Sequence, residues 1–253
     1  MRRTNPTYPP LDEPKPVAPD LWVVDSVLPG PAGRVFATRM TVIRLPSGEL
    51  LLYSPTRYSA GLGRALAELG PVRHLVAPSL AHWMFVEGWQ AACPEAVSWA
   101  APGLARRRAV RRAGVRFAHT LGDAPPPAWG EGIALFTVPG GLGFRETLLL
   151  HRPSRSLLLC DLVMNLDASR LPPLARGPVG LSGMDRGLPP PYLRAVVRAG
   201  GDRARHAVEA ALATSPERAI FAHGLWFDGH AAVRLRHALR WLLEPRRTGR
   251  RRP

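Results

Sequence analysis

The chain runs from strands into helices twice, and this repeated order is what most limits how it can fold. In the first half, "DLWVVDSVL" (20–28) and "MTVIRLPSGELLLYSP" (40–55) read as strands, the second a hairpin turned at Pro46-Ser47-Gly48. "GLGRALAELG" (61–70) has helical spacing closed by a glycine. "VRHLVAP" predicts a short buried strand, "WMFVEGWQAACP" a helix, "AVSWAAP" a strand and "GLARRRAVRRAG" a helix. The second half restarts with a meander of "GIALFTVPG", "RETLLLHRP" and "RSLLLCDLV". A Pro/Gly-rich stretch over 166–191 predicts a long loop. Helical pattern follows from Tyr192, breaks at Gly200-Gly201 and resumes at "DRARHAVEAALAT". The strand "RAIFAHG" and the amphipathic helix "HAAVRLRHALRWLLEP" close the chain. Two such halves fit an α+β arrangement of packed sheets covered by helices, not a simple doubly wound sheet.

One domain over 20–245 accounts for this pattern. The lead-in 1–19 is proline-dense and predicts an extension, and 246–253 predicts a basic tail. No apolar run approaches the roughly 18 residues of a membrane span, so membrane insertion is not expected. The N-terminus lacks the apolar core of a secretory signal, and Cys93 and Cys160 make no disulfide framework. Both point to a cytoplasmic setting.

The net charge of +15 would suit nucleic acid or an acidic partner, with "RRRAVRR" and "RRTGRRRP" as the footprint. Yet Lys15 is the one lysine, and near-total arginine usage alongside many Ala, Gly and Pro fits a coding bias better than phosphate recognition. Nucleic acid is therefore the alternative and not the leading reading.

Three polar residues fall at the C-terminal ends of predicted strands: His82 past "HLVAPS", Asp161 after "LLLC" and His223 after "AIFA". Strand ends hold a side chain rigidly while the loop exposes it, which suits ligands and catalytic groups. No Gly-x-Ser-x-Gly nucleophile motif and no complete phosphate loop is present.

The order of "LWVVD", "VIRLPSGELLLYSP", "VRHLVAPSLAHWMFVEGW", "TVPGGLGFRETLLLHRPSRSLLLCDLV" and "AIFAHG" resembles the metallo-β-lactamase superfamily from about Leu21 to Leu243. More narrowly, "RMT", "SP", "HWMFVEGW" and "DLVMN" are similar to a bacterial and plant subfamily of unknown function. The resemblance implies an αββα sandwich. It also implies a site degraded from the superfamily's two-metal centre. With His82 on the second histidine of His-x-His-x-Asp-His, Leu80 stands on the first, Met84 on the aspartate and Phe85 on the third. Gly141 stands on the histidine after Pro-Gly, while Asp161 and His223 are kept.

Leu, Phe and Gly side chains offer no donor, and a Met sulfur suits softer ions than zinc or iron. The expected cofactor is therefore none or one zinc or iron ion, held by His82, Asp161 and His223 with water in the fourth position. Each residue has a plainer reading: His82 bonding a loop carbonyl, Asp161 capping a loop, His223 paired with Asp161. Glu146 either faces the cleft as a substitute carboxylate or lies on the strand surface. Trp83, Phe85, Glu146, Trp226 and Phe227 are the candidate pocket residues. The function is either a single-metal hydrolase of an ester, thioester or phosphoester, or a non-catalytic small-molecule binder. No catalytic residue and no oligomeric state follows from the sequence.

Overall fold

The computed structural model describes residues 7–29 and 35–244. Its strands are β1 (Pro14–Ala18), β2 (Leu21–Pro29), β3 (Val35–Arg44), β4 (Leu50–Tyr53), β5 (Val72–Ala77), β6 (Val97–Ala100) and β7 (His119–Thr120), then β8 (Ile133–Pro139), β9 (Arg145–His151), β10 (Ser156–Leu158), β11 (Arg218–Ile220) and β12 (Phe227–Asp228). The helices are α1 (Ala60–Ala67), α2 (Val86–Ala92), α3 (Arg108–Arg112), α4 (Pro173–Ser182), α5 (Pro191–Arg198), α6 (Gly201–Ala213), α7 (Ala231–Ala238) and α8 (Arg240–Leu243). Among the described residues these strands form two sheets, β1 to β7 in sequence order and β12-β11-β10-β9-β8. Both are mixed: β1 to β4 are antiparallel and β4 to β7 parallel, while β10 and β11 are the parallel pair of the second sheet.

The side-chain period explains the layering. In β4 the run Leu50-Leu51-Leu52-Tyr53 is apolar throughout because both of its faces are covered. Leu51 and Tyr53 point into a core shared with Leu149, Leu158 and Ile220 of the second sheet. Leu50 and Leu52 point outward, under Leu62 and Leu66 of α1 and Val86 and Trp89 of α2. The second sheet repeats this. Leu149 faces the first sheet, while Leu148 and Leu150 pack under Val197, Val208, Leu212 and Leu235 of the C-terminal helices. The result is four layers, α/β/β/α, as the sequence order implied.

The structure departs from the sequence reading at several places, three of which matter most here. The lead-in, expected as an extension, is built onto the sheet from Thr7, and Pro14–Ala18 forms its outer strand. Pro14 and Pro16 remove two N–H donors from one edge, which an outer strand tolerates, and Lys15 between the prolines pairs with Asp25. The expected loop at 166–191 contains α4, started by prolines and closed by Gly183 at φ +78°. The helix predicted from Trp83 begins at Val86, after a turn that carries His82. The expected basic tail lies outside the described residues. No helix among the described residues is long and apolar enough to cross a membrane.

Candidate metal centre

Four strand ends deliver the site. β4 runs into Ser54, β5 into the turn carrying His82, β10 into the loop of Asp161, and β11 into the loop of His223. The last two loops lie directly on each other. Gly224, at φ +93°, has the Asn165 carbonyl oxygen 2.1 Å from where a Cβ would stand. Only glycine allows that approach, and it lets Leu225 N–H donate to Asn165 O at 2.8 Å. This contact seats His223 beside Asp161.

His82 Nε2 lies 3.3 Å and His223 Nε2 3.4 Å from the same oxygen, Asp161 Oδ1. The three ligand atoms all lie within 4.8 Å of one another. A tetrahedral ion with bonds of about 2.0–2.1 Å sets its ligands roughly 3.3–3.4 Å apart, so the two Asp–His edges already have that length. The far nitrogens are also committed. His223 Nδ1 is 2.8 Å from Ala37 O, which can only accept, so Nδ1 carries a proton and a neutral ring turns its Nε2 lone pair to the Asp161 side, where an ion would sit. His82 Nδ1 is 2.7 Å from Ser54 Oγ, a group able to donate or accept. A ligating histidine has its other nitrogen held in this way. The donor set therefore fits one small cation.

The electrostatics follow from burial and neighbours. Burial opposes ionisation of Asp161, but the imidazoles of His82 and His223 more than offset it and hold the carboxyl below its ordinary range. Burial pulls His223 down, yet its contact with Asp161 raises it overall. Burial, then the Asp161 charge, push Glu146 up to about 8 against the pull of three N–H donors.

Those donors are the backbone N–H groups of Cys160, at 2.7 Å from Oε1, and of Asp161 and Leu162, at 3.1 and 3.2 Å from Oε2. Arg39, also buried, donates from one nitrogen to Phe221 O and Gly224 O at 2.9 Å each and pairs with Asp25 at 2.6 Å.

A cavity of about 80 Å³ opens on His82, Asp161 and His223, lined otherwise by Leu28, Thr38, Pro55, Ala81, Met84 and Phe85. Of the five candidate pocket residues, Phe85 lines it, with the Arg57 guanidinium over its ring. The other four lie elsewhere. Trp83 donates Nε1–H to Leu80 O and packs toward the α1/α2 side, because it precedes the helix within a turn. Trp226 packs between the two sheet cores, and Phe227 stacks edge-on with Phe221 beneath the C-terminal helices. Glu146 is fully buried under the Asp161 loop, neither on the cleft wall nor on the surface. Sequence reasoning missed Ser54, Arg39 and Ala37. Their available signal was position: Ser54 ends a strand just as Asp161 and His223 do.

Gly141, which stands where the resemblance puts a metal-ligating histidine, has no room for a side chain. A Cβ there would lie 2.9 Å from Ala199 Cβ. Its N–H donates to Val196 O at 2.7 Å, fixing the backbone against α5.

Residues 21–190 match the sequence model of a family described as a domain of unknown function, DUF4336. No curated protein matches the chain. Among solved structures, a metallo-β-lactamase from Pontibacter korlensis superposes with a TM-score of 0.60 at 12% identity, covering 90% of this chain and 98% of that one. A metallo-β-lactamase from Hirschia baltica gives 0.61 at 14% identity, covering 94% and 97%. The metallo-β-lactamase FIM-1 from Pseudomonas aeruginosa, in a mono-zinc form, gives 0.59 at 11% identity, covering 95% of each chain. At such identities the likeness carries the fold alone: this chain has the metallo-β-lactamase sandwich.

Proposed function

This chain belongs to the DUF4336 family, and from that premise we propose that it is a single-metal hydrolase of an ester, thioester or phosphoester on a metallo-β-lactamase fold. His82, Asp161 and His223 would hold one zinc or iron ion. The observation that carries the reading is the pair of Asp–His edges, 3.3 and 3.4 Å, with the far nitrogen of each histidine engaged behind them. That a related fold from Pseudomonas aeruginosa is described in a mono-zinc form accords with a one-ion site.

Such an ion supplies Lewis acidity and brings the pKa of a water toward neutrality. The chain's own residues do the rest. Ala37 O and Ser54 Oγ orient the imidazoles, and Leu28, Pro55, Met84 and Phe85 wall the cavity with apolar surface. The cavity is small, about 80 Å³, and its wall is mostly apolar. Met84, which is 49% exposed, stands at the edge where such a wall meets solvent. Thr38 is the one polar lining residue besides the three ligands, so the described wall carries no separate carboxylate or imidazole base.

Metal analysis of untagged protein tests the reading. One equivalent of transition metal is expected, lost in His82→Ala, Asp161→Asn and His223→Ala, with slow metal-dependent turnover on a panel of small esters, thioesters and phosphoesters. Protein that takes up no metal, with variants that alter only stability, would leave a purely structural His–Asp–His cluster.

A further inference from the structure

Among the described residues, Glu146 is a carboxyl group buried next to the site that the mechanism above does not use. Its residue reaches two loops at once. Through the backbone it bridges Ser79, at the start of the turn that carries His82, and the following Thr147 N–H donates to Pro78 O at 2.8 Å. Through the side chain it accepts the three successive N–H groups of Cys160, Asp161 and Leu162 at 2.7–3.2 Å. The first loop leaves the seven-stranded sheet and the second leaves the five-stranded one.

Three consecutive backbone N–H groups aimed inward at one carboxyl fix the peptide planes on both sides of Asp161. Those planes set the direction of its Cα–Cβ bond, and with it the place of Oδ1 between the two imidazoles. Without the carboxyl, three buried donors have no acceptor and the loop must turn to find others. A turn moving Oδ1 by even 1 Å would break the match to ligand spacing. β10 ends at Leu158, so no sheet ladder holds Cys160 to Leu162 in its place.

We propose that Glu146 is the positioning residue of the metal centre: it joins the His82 and Asp161 loops and aims the Asp161 carboxylate at the cation. This rests on the single-metal reading. The role is distinct from a ligand's, because Glu146 is buried with its carboxyl turned to backbone donors and not toward the cavity.

Co²⁺ titration followed by visible absorption is the test, on full-length protein with Glu146→Gln and, as a control, Leu150→Ala. Glutamine keeps the volume but turns an NH₂ group toward backbone donors. Leu150 lies further along β9 and faces the helical side, so its truncation destabilises without touching the loops. At a temperature where all three are folded, Glu146→Gln is expected to weaken Co²⁺ binding by about 10- to 100-fold and to alter the d–d bands, with Leu150→Ala unchanged. Equal weakening in both variants, or none in Glu146→Gln, overturns the proposal. Should the parent protein bind no Co²⁺, the metal reading fails by itself. The positioning claim is then decided by the imidazole ¹⁵N resonances of His82 and His223: they must shift in Glu146→Gln and hold in Leu150→Ala, and unmoved resonances overturn it. Where Glu146→Gln does not fold, Glu146→Asp, which withdraws the carboxyl by one methylene, is judged by the same criteria.

Discussion

Ser54 Oγ lies 2.7 Å from His82 Nδ1, and Ser54 holds that place with a φ of +58°. A serine in the left-handed region is strained, and strain kept at the end of a strand beside the His82, Asp161 and His223 cluster points to a role for the side chain. Its hydroxyl can donate to Nδ1 when His82 Nε2–H faces Asp161. It can also accept from Nδ1–H when Nε2 binds a cation, turning its own proton toward Arg39 O, 3.5 Å away.

Backbone and side-chain roles of Ser54 separate by substitution. Ser54→Gly removes the hydroxyl and also the strain, so apo stability should hold or rise by up to about 1 kcal/mol. Ser54→Ala keeps the strain and should lose about 1 kcal/mol. Both should weaken Zn²⁺ binding by roughly 10-fold or more. Thermal melts paired with calorimetric Zn²⁺ titrations read the two effects. A glycine variant with unaltered affinity would reduce Ser54 to a spacer.

Arg39 is expected to matter far more for stability than its one ion pair suggests. Its side chain is 2% exposed and Asp25's 4%, and it also holds the carbonyls of Phe221 and Gly224. Arg39→Met leaves the buried Asp25 carboxylate with Lys15 alone and two carbonyls without their donor, a loss of about 3–5 kcal/mol in urea unfolding. Lys15, at 25% exposed, is partly screened, and Lys15→Met should cost about 1 kcal/mol or less. Equal losses from the two would contradict this ranking.

The N-terminal segment gives a sharper contrast. Deleting residues through Ala18 removes β1, Tyr8 stacked over Arg39, and Lys15 beside Asp25. A loss of melting temperature of several degrees is expected. A full melt retained after removal of β1 would return the segment to the status of an extension.

That segment also illustrates what the sequence could and could not convey. Strand pattern made both sheets legible, and polar residues at strand ends made His82, Asp161 and His223 legible, because period and position are local properties. β1 was not legible, since prolines argue against a strand until its outer position is known. Glu146 was ambiguous for a related reason. A carboxylate in an apolar strand looks like a cleft or surface residue until its acceptors' partners, fourteen to sixteen residues away in sequence, are known. Trp226 and Phe227 neighbour His223 in sequence, but Phe227 pairs with Ala219 in β12 and faces the helical core.

Two buried histidines outside the site set a pH dependence. Burial lowers the pKa of His74 and of His151 from the usual 6.5, so both fold as neutral rings. A base with a depressed folded pKa contributes stability that is complete above its unfolded pKa and lost as pH falls through the folded one. The contribution of these two rings to stability should therefore fall progressively below about pH 6.5. The cost of His74→Gln, measured by urea unfolding, should be smaller at pH 5.5 than at pH 8. A cost that grows on acidification would mean that protonated His74 is stabilised, for instance by Glu49 at 3.8 Å.

The two-metal chemistry common on this fold should be absent. By the register that the resemblance implies, a second ion would need donors at Leu80, Met84, Phe85 and Gly141, and none of these offers oxygen or nitrogen from a side chain. The loss at Gly141 is more than a missing group. With Ala199 Cβ 2.9 Å from the position of a new Cβ and the backbone tied to Val196 O, no side chain fits there without displacing α5. Elemental analysis after exposure to excess Zn²⁺ and dialysis should give at most one equivalent per chain, and a chromogenic lactam should not be turned over. Met84→Asp introduces a carboxylate on the cavity wall but should not raise the stoichiometry, because the closed Gly141 position still lacks its ligand. Two tightly held ions in the parent protein would mean that the cavity rearranges around metal and that its apolar wall is not fixed.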